Sequence, residues 1–76
     1  MKLYQFRLHV NFTGTVIVNL WSNKKHVITD SMVLDRDAFH DWQELNSCKY
    51  QIDNLNISSK VVEMFVTRRE VVKVLK

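Results

Sequence analysis

Asp37, His40, Asp41 and Glu44 set three carboxylates and an imidazole three and four residues apart. On a helix that spacing puts them side by side, and oxygen and imidazole ligands together could hold a divalent ion. The same residues suit the solvated face of an amphipathic helix, and that is the expectation for Asp37, Asp41 and Glu44. Cys48 is the only cysteine, so no intramolecular disulfide can form. As a nucleophile it would need a base beside it, but His9, His26 and His40 lie far apart in the chain and no local signature accompanies it. The ordinary expectation for such a cysteine is a small buried hydrophobe. No Gly-rich phosphate loop occurs, and 76 residues leave little room to enclose a ligand cavity of ~300 Å³ or more. Catalysis is not expected, nor is a cofactor or a resident metal.

Binding chemistry is better represented. Arg7, His9, Ile17 and Trp21 fall near Lys24 and Lys25 if the first part of the chain folds on itself, and Arg68-Arg69 form a second basic pair. An aromatic ring among cations suits bases that stack while lysines and arginines take the phosphates. Trp and Arg are equally the residues enriched at the energetic centres of protein interfaces. Ile17 and Trp21 could instead be covered by the chain's own C-terminal segment.

The elements that would position these residues can be read from periodicity. Residues 3–12 alternate, with Tyr4, Phe6, Leu8, Val10 and Phe12 on one side and Gln5, Arg7, His9 and Asn11 on the other. Period two over this length predicts a half-buried strand. Residues 15–21 alternate too, and N-F-T-G between them suggests a three-residue loop with Gly14 left-handed. The expected product is an antiparallel hairpin over about 2–21, with Val10 opposite Val16, Arg7 opposite Asn19 and His9 opposite Ile17. A third strand is expected from about His26 to Thr29, continuing as far as Val33.

L-D-R-D-A-F-H-D-W-Q-E-L-N predicts a helix near 35–46, N-capped by Asp35, with Ala38, Phe39, Trp42 and Leu45 as its apolar stripe. Asp35 and Asp37 suit the positive end of its dipole. Further strand is expected within 49–66: two short pieces separated by a turn at Asp53-Asn54, then a strand at 60–66 rich in β-branched residues. T-R-R-E at 67–70 matches a capping box, and Val66 with Val71 would staple it, so a short C-terminal helix near 68–75 is expected. One long helix from Ser59 to Leu75 and a hairpin turning at Arg68-Arg69 are the rival readings. The fold class expected is α+β, in one small domain over 1–76: an antiparallel sheet with a helix packed on one face.

Charge is unevenly spread. Residues 1–29 carry +4, residues 30–53 carry −4 and residues 54–76 carry +3, for a net +3. Such polarity bears on partner choice and association rate rather than on fold. The acidic middle helix is a possible partner for Arg68 and Arg69, within the chain or in a second copy. No apolar run approaches the ~20 residues of a membrane span, and the first residues lack the apolar stretch of a signal peptide. A cytoplasmic protein without membrane association is the simplest expectation. With 46% hydrophobic residues, 25% charged, one Gly and no Pro, the composition is that of a folded chain.

A compact, Pro-free chain with no catalytic signature is similar in general character to small phage and mobile-element accessory proteins, many of which mask a host protein surface. The leading expectation is therefore a non-enzymatic protein-binding module, an inhibitor or regulator. A small basic nucleic-acid-binding regulator is the alternative, and a structural homo-oligomer the minor one. A homodimer would bury the second face of the hairpin.

Overall fold

The computed structural model describes residues 1–69. Within them the chain forms a four-stranded sheet with one helix on one face: β1 (Thr15–Ser22), β2 (Val27–Leu34), α1 (Arg36–Asn46), β3 (Tyr50–Ile57) and β4 (Val61–Arg68). The strand order is β2-β1-β4-β3. β1 with β2 and β3 with β4 are antiparallel pairs joined by short turns, whereas β1 and β4 are parallel. The sheet is therefore mixed rather than antiparallel throughout. The topology explains why. α1 carries the chain from one edge strand to the other and back to the end of the sheet where β2 began. β3 then runs with β2, so β4 runs with β1.

Residues 2–14 do not pair with β1, which corrects the expected hairpin over 2–21. Both edges of β1 are occupied by β2 and β4. Leu3–Gln5 is instead a 3-10 turn, and Leu3, Phe6 and Phe12 are buried while Val10 is 70% exposed. The segment lies with α1 on one side of the sheet. Its backbone is held from outside: Gln43 Nε2 donates to the carbonyls of Leu3 (2.9 Å) and Phe6 (2.8 Å), and Ile52 N donates to Met1 O (2.6 Å). Gly14 is not left-handed. It is required because a Cβ there would collide with the Lys60 carbonyl oxygen.

α1 begins where the sequence predicts. Asp35 is extended and its Oδ1 accepts from Ala38 N at 2.7 Å, so one of the helix's unpartnered first-turn donors is satisfied. The inward side carries Phe39, Trp42 and Gln43 rather than the expected stripe through Ala38 and Leu45. Ala38 is exposed and Leu45 is 77% exposed. Phe39 meets Phe6 edge-on with centroids 6.0 Å apart, and Trp42 lies between Phe39 and Tyr50.

The sheet contributes Val16, Val18, Ile52, Val62, Met64 and Val66 to the core beneath this layer. These positions alternate along their strands, so they share one face. The core thus lies on the α1 side. Cys48, expected to be buried, is exposed just after α1.

β3 is one strand with a bulge where two pieces and a turn were expected: Ile52 pairs with Val66 and Asn54 with Phe65, leaving Asp53 as the extra residue. β4 continues through Thr67 and Arg68, so Thr67 is a strand residue, 2% exposed, and not a helix cap. This excludes the long helix from Ser59 and removes the expected start of the C-terminal helix. The rest of that helix, over 70–75, lies outside the described residues. No helix among them is long and apolar enough to cross a membrane.

Candidate functional site

The face of the sheet away from α1 carries the alternate residues of each strand. β1 presents Thr15, Ile17, Asn19 and Trp21; β4 presents Val61, Glu63, Phe65 and Thr67; β2 adds Val33, Ser31 and Ile28; β3 adds Asn56, Asn54 and Gln51. The pairing register places Ile17 beside Val33 and Glu63, and Asn19 beside Ser31 and Phe65. Trp21 lies beside Ile28 and Thr67. Asn19 is 5% exposed and fully engaged at the centre: Ser31 Oγ donates to its Oδ1 at 2.7 Å, and its Nδ2 donates to Glu63 Oε2 at 3.2 Å. This polar row separates an apolar patch around Ile17, Val33 and Val61 from an aromatic end around Trp21 and Phe65.

The aromatic end is concave. Trp21, Phe65, Asn23, Asn54 and Asp53 line a cleft of about 370 Å³. Trp21 and Phe65 are each half-buried and stand diagonally on adjacent strands. Asn54 pairs with Phe65 across β3–β4. The bulge at Asp53 brings an additional side chain to the same wall, and Gln51 Nε2 donates to its Oδ1 at 2.8 Å.

The topology also gathers charge here. β1 and β4 are parallel, so both end at this edge of the sheet, and antiparallel β3 begins there. Lys24 and Lys25 lie in the β1–β2 turn, Lys49 precedes β3, Arg68 ends β4 and Arg69 follows it. The Arg69 amide donates to the Lys49 carbonyl at 2.8 Å, which binds these two segments together. The lysine turn is well defined. His26 N donates to Ser22 O at 2.8 Å, Lys25 N donates to Ser22 Oγ at 3.2 Å, and His26 closes the loop with φ 55°. Lys24, Lys25, Lys49 and Arg68 are exposed and Arg69 is half-buried. Among the described residues the one contact within ion-pair distance is elsewhere, His40 Nε2 to Glu44 Oε1 at 3.8 Å.

Of the residues singled out from sequence, Ile17, Trp21, Lys24, Lys25, Arg68 and Arg69 are brought to this face or its edge. Arg7 and His9 are not. Arg7 Nη1 donates to the carbonyls of Tyr4 (2.7 Å) and Phe6 (3.0 Å), bracing the N-terminal segment on the α1 side. His9 Nδ1 accepts from Asn11 N at 3.2 Å within a turn. Both border a different cleft, of about 450 Å³, with Ile57 and Ser58. They were expected opposite Asn19 and Ile17, but β2 and β4 take those places. Asp37, Asp41 and Glu44 are exposed on α1, in the other layer of the molecule.

Sequence reasoning missed Lys49, Asp53, Asn54 and Phe65. Their signal is weak in sequence, because only the pairing of β1 with β4, more than forty residues away, makes them neighbours of Trp21. No protein-family model, no curated protein and no solved structure matches this chain.

Proposed function

We propose that this chain is a non-enzymatic binding module for single-stranded nucleic acid, working through the sheet face away from α1 and its cationic edge. The observation that carries it is the convergence of Lys24, Lys25, Lys49, Arg68 and Arg69, from three separate stretches of sequence, beside Trp21 and Phe65. Non-specific single-strand binding combines a positive track for the backbone with aromatic rings for the bases, each stacked base contributing about 1–3 kcal/mol. An unpaired base can lay its face on an exposed aromatic side chain, whereas a base stacked within a duplex cannot. Asp37, Asp41 and Glu44 sit on α1 in the opposite layer and Glu63 accepts from Asn19, so the carboxylate beside the two aromatic residues is that of Asp53.

The test is titration of the full chain with a short thymidine oligomer at low salt, following tryptophan emission. Expected are quenching that disappears in Trp21→Phe and an affinity that falls steeply with salt, as counterion release requires. Lys24→Glu/Lys25→Glu should lose binding while the fold survives. Absence of binding at low salt overturns the proposal.

A second reading, an inhibitor or regulator that captures a protein, is favoured by one observation. β2 is an eight-residue edge strand, largely exposed and without Pro, whose outer hydrogen-bonding edge has no strand beside it among the described residues. Such an edge can accept an added strand from a partner. Pulldown from lysate with and without nuclease separates the two: capture of a protein that survives nuclease supports this second reading.

A further inference from the structure

We infer that the cleft between Trp21 and Phe65 holds one nucleobase and that Asp53 makes guanine the preferred one; this rests on the single-strand reading above. Trp21 and Phe65 both line the cleft, and an aromatic ring offers a face on which a base can stack. The cleft is of a size to admit such a base, about 370 Å³.

Its polar wall then decides which ring. Guanine alone among the four bases presents two adjacent donors, N1–H and N2–H, on its Watson–Crick edge. A carboxylate is an acceptor-only group with two oxygens, and it matches that pair. Adenine and cytosine each offer an amino donor beside a ring-nitrogen acceptor, and thymine or uracil offers one N–H between two carbonyls. Each of these sets a lone pair against Asp53. Asp53 lines this cleft from the bulge in β3, and Gln51 Nε2 donates to its Oδ1 at 2.8 Å, which leaves the second lone pair of Oδ1 and both lone pairs of Oδ2 to accept. The amides of Asn23 and Asn54, on the same cleft, supply donors for guanine O6 or N7.

The placement of charge agrees with this division of labour. The cations stand at the rim, where phosphates would pass, and the one acid of the cleft faces the base. A carboxylate inside a phosphate site would oppose binding; one facing a base edge selects.

The experiment uses the full chain and thymidine oligomers of about nine nucleotides. They carry a central dG, dA, dC or dT, so that guanine runs do not self-associate. The expected result is binding of the dG oligomer about tenfold tighter than the other three, in line with the discrimination of a bidentate base contact. In Asp53→Asn that preference should vanish while affinity for the all-thymidine oligomer is retained or rises slightly, because one negative charge is gone. A purely electrostatic role for Asp53 would raise all four affinities together and leave the preference in place. Equal affinity for the four oligomers in the parent chain, or a dG preference that survives Asp53→Asn, overturns the inference and leaves single-strand binding standing. If none of the oligomers binds at low salt, single-strand binding itself falls and the base assignment with it.

Discussion

Asn19 Nδ2 donates to Glu63 Oε2 at 3.2 Å across the parallel pair at the centre of the sheet. The side chain is almost completely covered, and its carbonyl oxygen is taken by Ser31 Oγ. One amide thus ties three strands together on the face away from the core. Asn19→Leu keeps the volume and removes both contacts. Hydrogen bonds contribute about 0.5–1.5 kcal/mol each, more when a charged group takes part. Ser31 is exposed and Glu63 half-buried, so both can turn to water and the expected loss is about 1–2 kcal/mol, read as a lower urea midpoint at unchanged slope.

Gln43 performs the corresponding task on the other side of the sheet. Both of its amide hydrogens are spent on the Leu3 and Phe6 carbonyls, and it is buried. Gln43→Leu should cost about 2 kcal/mol, since two buried acceptors each lose a donor. The loss should be largest for residues 1–6. Faster amide exchange there, before global unfolding, is the measurement that checks it, because local opening releases segments held by few contacts first.

The elements that could be read from sequence are those whose cause is local. β1 follows from alternation over 15–21, and α1 from the Asp35 cap and the apolar residues at helical spacing. The segment 3–12 alternates equally well, yet it forms no strand. Alternation states only that one side is apolar; whether a free sheet edge exists for it depends on β4, which follows some forty residues later and pairs parallel with β1. Asp53-Asn54 resembles a turn in sequence because the residue types that favour turns also tolerate the kink of a bulge. The site shows the same division. Trp21, Lys24 and Lys25 were visible as an aromatic followed by cations. Phe65, Asn54 and Lys49 become their neighbours only through the β1–β4 register and the start of β3.

Gly14 illustrates a residue read correctly as special for the wrong reason. The turn chemistry of N-F-T-G suggested left-handed backbone, but the requirement is space. The Lys60 carbonyl, which accepts from Thr15 N at 2.8 Å, lies where a Cβ would be. The obstructing atom is backbone and cannot swing aside. Gly14→Ala should therefore destabilise by about 1–3 kcal/mol, the usual range for overpacking. A thermal midpoint equal to that of the parent chain would contradict this.

Lys49 gives the sharpest test of where binding occurs, because nothing in the sequence marks it. It is exposed, and its backbone is joined to Arg69 at the cationic edge. Lys60 is exposed too, but it lies in the β3–β4 turn at the opposite end of β4. Eight strand residues at about 3.3 Å each put the two ends some 25 Å apart, more than twice the Debye length of ~10 Å at 0.1 M salt. Lys49→Glu and Lys60→Glu change the net charge by the same amount. If net charge alone attracts the polyanion, both should weaken binding of a thymidine oligomer alike. If the cationic edge is the site, Lys49→Glu should weaken it strongly and lower the slope of log affinity against log salt by about 0.7, the value of one lost phosphate contact on a single strand. Lys60→Glu should then leave both quantities close to those of the parent chain at 0.1 M salt, where the screening separates the two ends.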